Sequence, residues 1–232
     1  MKTIGLIGGM SWESSLEYYR LINRGVRDRL GGQHSAKSLM ISVDFAEIEQ
    51  MQMEGRWDDA AAALSDCARQ LERGGADFIV LCTNTMHKVA PAIQAAISLP
   101  LLHIADATAA RIKAAGLSKI GLLGTRFTME QEFYKGRLTD QYGLTVLIPE
   151  APDREIVHRA IYDELCLGKI VDQSRAEYVR IMDDLATRGA EAIILGCTEI
   201  GLLIKPTDTA LRLFDTTLIH AEEAVNWALA GN

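Results

Sequence analysis

Gly75-Ala-Asp-Phe-Ile-Val-Leu-Cys-Thr-Asn-Thr85 lies without a gap over Gly189-Ala-Glu-Ala-Ile-Ile-Leu-Gly-Cys-Thr-Glu199, an offset of 114 residues. The alignment sets Thr83 opposite Cys197 and Cys82 opposite Gly196. A second match, Ile4-Gly-Leu-Ile-Gly8 over Ile120-Gly-Leu-Leu-Gly124, has an offset of 116 and brings Tyr18 onto Tyr134. Asp106-Ala-Thr108 and Asp215-Thr-Thr217 give a third, at 109. Three matches in one order at nearly one offset define an internal repeat, and a repeat decides architecture before any motif does.

Short β-type runs alternate with longer helical patterns: 3–7, 39–43, 78–81, 99–104, 120–123, 145–147, 192–195 and 211–214. The runs are apolar enough to be covered on both faces, which with this alternation predicts an α/β fold with parallel sheets built from βαβ units. Each half-chain supplies about four such units. The predicted boundaries are 1–104 plus 215–232 for a first α/β domain and 105–214 for a second.

A formal net charge of −7 argues against a nucleic-acid or anionic-membrane surface, because either needs clustered Lys and Arg. The apolar stretches are all cut by charged or turn residues well short of the roughly 20 needed to span a bilayer. Cys67, Cys82, Cys166 and Cys197 form no CxxC pair and no Cys/His group at zinc spacing, and the chain opens on strand-like sequence. The expectation is a cytoplasmic protein with a small-molecule partner, no metal, no nucleic acid and no membrane contact. Gly5, Gly8 and Gly9 do not make GxGxxG, so a nucleotide site is poorly supported.

Ligands of open parallel sheets bind beyond the carboxyl ends of the strands, where Thr83 and Cys197 both fall. Halves related by a pseudo-twofold would present a hydroxyl and a sulfur to opposite faces of one ligand. Asn84, Thr85 and Thr198 are residue types that cap helices, and a helix start favours carboxylates and thiolate alike. Cys197 therefore reads as a base with a lowered pKa. Cys82 points to the other face of its strand and reads as core packing. His103 and Cys166 also read as packing, and His87 as a hydrogen-bonded structural histidine.

With these residues in view, the sequence resembles the aspartate/glutamate racemase superfamily, most closely its L-aspartate/glutamate-specific branch. The matching elements are Ile4-Gly-Leu-Ile-Gly-Gly-Met-Ser-Trp-Glu13, Cys82-Thr-Asn-Thr-Met-His87, Leu122-Leu-Gly-Thr125 followed by Phe127, Thr128 and Met129, and Gly196-Cys-Thr-Glu-Ile200. The resemblance implies two similar Rossmann-like domains about a pseudo-twofold, an active site at their interface, and a last helix that packs back on the first domain. It implies proton exchange by two opposed residues with no cofactor, and a homodimer. Most members have cysteine at both positions; here the first is Thr83. The resemblance also implies that Met10, Gln52, Thr83, Asn84, Thr85, Cys197, Thr198 and Glu199 line the substrate site, with Cys197 on the face that deprotonates the L-isomer. Gln52 is neutral where aspartate-specific members carry a cation, and Lys169 is a candidate replacement.

The expected function is cofactor-independent racemisation of L-glutamate and L-aspartate, faster from the L-isomer because a threonine hydroxyl is a poor base. The alternatives are a broad-specificity amino acid racemase, an isomerase or decarboxylase using Cys197 alone, and, outside catalysis, a cytoplasmic amino-acid-binding sensor.

Overall fold

The structure, a computed structural model, describes residues 1–230. The chain divides into two compact units, Met1–Ile104 with the segment from His220 onward, and Ala105–Ile219.

The first unit runs β1 (Ile4–Gly8), α1 (Trp12–Leu30), β2 (Ser38–Ser42), α2 (Phe45–Met53), α3 (Trp57–Arg73), β3 (Phe78–Leu81), a 3-10 turn (Thr85–Val89), α4 (Ala90–Ala95) and β4 (Leu101–Leu102). Next come α5 (Ile104–Ala114), β5 (Lys119–Gly124), α6 (Arg126–Glu130), α7 (Lys135–Tyr142), β6 (Thr145–Leu147), α8 (Ala151–Asp163) and a 3-10 turn (Leu165–Leu167). The chain continues with α9 (Asp172–Thr187), β7 (Ala192–Gly196), α10 (Ile200–Leu203), β8 (Arg212–Asp215) and α11 (Thr216–Leu229).

Both sheets are parallel and four-stranded, in the orders β2-β1-β3-β4 and β6-β5-β7-β8. The sequence repeat is also a repeat of register: Ile4 pairs with Phe78 in the first sheet, and their counterparts Ile120 and Ala192 pair in the second. The paired positions therefore stand at the same height in each sheet.

In the first unit, strand alternation sorts the core into two layers. Ile7, Ile79 and Leu81 pack with Leu64, Ala68 and Leu71 of α3, whose buried positions recur at helical spacing. Leu6, Phe78, Val80 and Cys82 face the other way, onto Tyr18, Ile22 and Val26 of α1 and Ala221, Ala224, Val225 and Ala228 of α11. The last helix thus packs on the first unit, where Trp227 also sets its ring edge-on to Phe78 with centroids 5.4 Å apart. Cys82 is fully buried in this layer, and burial pushes its thiol up.

Two expected boundaries move. The predicted 99–104 strand shrinks to Leu101–Leu102: Ile104 already opens α5, and the Gln94 side-chain amide holds the backbone at the start of the strand, donating to the Leu99 carbonyl and accepting from Leu101 N. Residues 215–219, predicted in the first domain, belong to the second unit. Asp215 pairs with Leu195, and the Thr216 hydroxyl donates to the Leu195 carbonyl at 2.8 Å. Asn232 and Gly231, the end of the predicted 215–232 segment, lie outside the described residues.

Candidate active site

In the first unit, the strand ends converge on Thr83. Cys82 N donates to Ile7 O at 2.9 Å and Val43 N to Gly8 O at 3.1 Å, so the ends of β1, β2 and β3 are held side by side. Thr83 and Asn84 come just after β3, beyond Cys82, Thr85 opens the first 3-10 turn, and Met10 follows β1; all four are buried. Gln52, near the end of α2, is buried too, and its side-chain N–H donates to Met86 Sδ at 2.9 Å. Met86 and Met10 share one apolar cluster, so Gln52 reaches the Met10 side of the strand ends.

Capping by Asn84 and Thr198 does not occur. Asn84 already has αR backbone angles and makes no side-chain cap, because the chain turns straight into a 3-10 helix. In the second unit α10 is a single four-residue turn that starts after Glu199, also without a side-chain cap.

The second strand end is built around Glu199. Cys197 Sγ donates to Glu199 Oε2 at 3.0 Å, and Thr198 Oγ1 donates to the same oxygen at 2.6 Å. Glu199 is 2% exposed and Cys197 8%. Gly124 and Gly196, paired across β5 and β7, make this corner possible: a Cβ on Gly124 would lie 2.8 Å from the Gly196 carbonyl oxygen.

The electrostatics reverse one expectation. The Cys197 thiol is held well above its ordinary range, first by burial, then by the Glu199 carboxylate and by Cys166. A short turn offers too little macrodipole to offset a buried carboxylate at hydrogen-bond distance. Cys197 therefore rests as a thiol. Tyr178, fully buried, donates to Val157 O at 3.0 Å and is raised by burial and by Cys197, Glu164 and Cys166. Tyr178 and Cys166 are thus neighbours of Cys197 that sequence reading assigned elsewhere or passed over. The Glu199 pairing also had no sequence signal, since it depends on the turn after β7 that sets the Glu199 carboxylate on Cys197. Lys169 is exposed, in the loop between the second 3-10 turn and α9. Among the described residues no cluster of three or more His, Cys, Asp or Glu side chains is arranged to hold a metal ion, and no helix is long and apolar enough to cross a membrane.

The two equivalent strand ends thus carry a hydroxyl in the first unit and, in the second, a thiol on a buried carboxylate. The Asp/Glu/Hydantoin racemase family model matches residues 7–224. The chain belongs to that family.

Among solved structures, this racemase is similar to a candidate Asp/Glu racemase from Yersinia pestis, with 58% identity and a TM-score of 0.93 over 99% of this chain and 100% of that one. It is similar also to an aspartate racemase homologue from Pyrococcus horikoshii, with 35% identity and a TM-score of 0.85 over 98% and 99% of the two chains. A broad-specificity amino-acid racemase from Bacillus subtilis is 25% identical over 181 residues, 75% of this chain and 74% of that protein. The matched region includes both strand-end motifs of this racemase.

Proposed function

We propose that this enzyme racemises acidic amino acids, glutamate and aspartate first, by moving the α-proton between Cys197 and Thr83 on opposite faces of one bound substrate. The observation that carries the reading is the identical register of the two strands that end at these residues, one of them ending in a thiol–carboxylate pair.

In the L-to-D direction Glu199 Oε2 takes the Cys197 proton through the hydrogen bond already in place. The thiolate then removes the substrate's α-proton, and the Thr83 hydroxyl gives a proton to the opposite face. The Thr83 oxygen takes a proton from solvent and Glu199 releases its own to solvent, which restores both groups. Generating thiolate only as substrate arrives avoids keeping a buried negative sulfur beside a buried carboxylate, which would be costly at rest.

In the reverse direction Thr83 must act as the base, and an alkoxide is far harder to form than a thiolate. The enzyme turns over faster from the L-isomer. At a racemic equilibrium the two kcat/KM values are equal, so the asymmetry sits in kcat and KM separately. Met10, Gln52, Asn84, Thr85 and Thr198 hold the substrate. Gln52, neutral and bonded to a sulfur, gives no point charge for a short side-chain carboxylate, which supports breadth among amino acids over strict aspartate use. The four free cysteines support a reducing, cytoplasmic setting. The enzyme works as a homodimer, which light scattering tests by a mass near 51 kDa against the chain's 25.5 kDa.

The deciding experiment incubates the protein, with no added cofactor, with each enantiomer of aspartate and glutamate in heavy water. Deuterium entry with formation of the opposite enantiomer, abolished in Cys197→Ser, is expected. Release of carbon dioxide from malonates with no racemisation would point to single-face cysteine chemistry. Tight binding with the α-proton retained would make the protein a sensor.

A further inference from the structure

Behind Thr83 lies a buried cluster of three histidines that the reaction as written does not use. His87 Nδ1 lies 2.7 Å from the Thr83 carbonyl oxygen, and Ile104 N lies 3.2 Å from His87 Nε2. His220 Nε2 lies 2.9 Å from the Leu102 carbonyl oxygen, and the Tyr18 hydroxyl 2.8 Å from His220 Nδ1. The His87 ring centroid is 4.5 Å from that of His103 and 5.9 Å from that of His220.

The partners fix the protons. A carbonyl oxygen only accepts and a backbone N–H only donates, so His87 carries its hydrogen on Nδ1 and accepts at Nε2. The same logic puts the His220 hydrogen on Nε2, with Tyr18 donating to Nδ1. Both rings are neutral, and each has both nitrogens committed. His87 is therefore not poised to act as an acid or a base. What it does is join the peptide after Thr83 to the first peptide of α5, while His220 holds the adjacent Leu102 carbonyl from α11.

We propose that His87 is a positioning residue for Thr83: its Nδ1–H fixes the Thr83–Asn84 peptide, and with it the direction of the Thr83 hydroxyl. This rests on the assignment of Thr83 as one of the two proton-transfer groups. The need is chemical. A thiol tolerates a loose site because it ionises readily, whereas a weakly acidic hydroxyl transfers a proton only when aimed at the substrate carbon. Misplacement of a reacting group by about 1 Å costs on the order of a hundredfold. Thr83 N donates to Leu81 O at 2.9 Å, so the peptide on its amino side is fixed by the strand end itself. The carboxyl side depends on His87.

Two variants separate this role from simple packing. In His87→Asn the amide nitrogen sits on Cγ, where Nδ1 was, and keeps the bond to Thr83 O while losing that from Ile104. In His87→Gln the terminal amide reaches the place of Nε2 and keeps the Ile104 bond while releasing Thr83. Asn leaves the larger void, so a merely structural role makes it the worse of the two. The expected result is the opposite order. His87→Asn racemises L-glutamate within about threefold of the parent enzyme, and His87→Gln is slower by about ten- to a hundredfold. In heavy water, deuterium entering the recovered L-isomer per D-isomer formed rises in His87→Gln, because the Cys197 face still exchanges. Equal losses in both variants, or a lower rate in Asn than in Gln, would overturn the proposal. A parent enzyme that racemises nothing, or a Thr83→Ala variant as active as the parent, would instead remove the assignment on which the proposal rests.

Discussion

His220 makes the first unit acid-sensitive by a calculable amount. Its ring is fully buried, donates to Leu102 O and accepts from Tyr18, and burial lowers its pKa from 6.5 to about 4. In the folded chain it stays neutral down to about that pH, whereas in the unfolded chain it takes up a proton near 6.5. Above pH 6.5 both states are neutral and the group costs nothing. As pH falls below 6.5 the unfolded state gains the proton first, so stability is lost, until the folded state also protonates near pH 4. The linkage integral gives a loss of about 2 kcal/mol at pH 5 and a limit of about 3 kcal/mol below pH 4. His158, also lowered by burial, adds a loss of the same sign. The comparison is therefore made with His220→Gln, whose amide can still donate to Leu102 but cannot titrate. Urea unfolding at pH 7.5 and pH 5.0 should show the parent protein losing about 2 kcal/mol more than the variant over that interval. At pH 7.5 the variant should be weaker by about 1–3 kcal/mol, since the buried bond from the Tyr18 hydroxyl to the His220 ring is lost. A His220 ring that titrates near 6.5 by NMR, or equal pH slopes in the two proteins, would refute the reasoning.

Glu199→Gln removes the negative charge that holds the Cys197 proton and the base that takes it, so site-resolved alkylation of Cys197 at pH 7.5 should become faster while racemisation falls by about 10²- to 10⁴-fold. Changes in the same direction would show that Glu199 does not serve the thiol. Thr83→Ala should stop formation of the D-isomer while deuterium still enters recovered L-substrate, as measured by mass spectrometry. Gly9 has φ +92 and the backbone N and O of Val43 stand where a Cβ would go, whereas Gly31, at φ +74, has open space. Gly9→Ala should therefore cost several times the roughly 1–2 kcal/mol expected of Gly31→Ala, read from urea midpoints.

The fold was legible in the sequence because parallel strands buried on both faces are written as apolar runs, and a duplicated half-chain writes them twice. The Phe78–Leu81 and Ala192–Gly196 strands needed nothing more than that pattern. The placement of Thr83 and Cys197 at equivalent ends followed from the ungapped repeat, since a strand's register fixes which residue leaves it. Edges were less legible: Leu99 and Ile104 look like strand residues, but the folded chain brings the Gln94 amide to the Leu99 carbonyl and opens α5 at Ile104.

The chemistry of the site was the part that tertiary structure decided. A residue's spacing says where a side chain stands, but its protonation depends on what surrounds it in three dimensions. For Cys197 those surroundings are the loss of water and the carboxylate of Glu199, folded back to 3.0 Å by a chain reversal after β7. The sequence suggested a lowered thiol pKa, and burial beside that carboxylate sends it the other way. His87 was visible as a polar residue near the first motif. That its two nitrogens tie Thr83 to Ile104, 21 residues apart along the chain, arises because β3 and β4 lie side by side, and sequence order does not encode that distance.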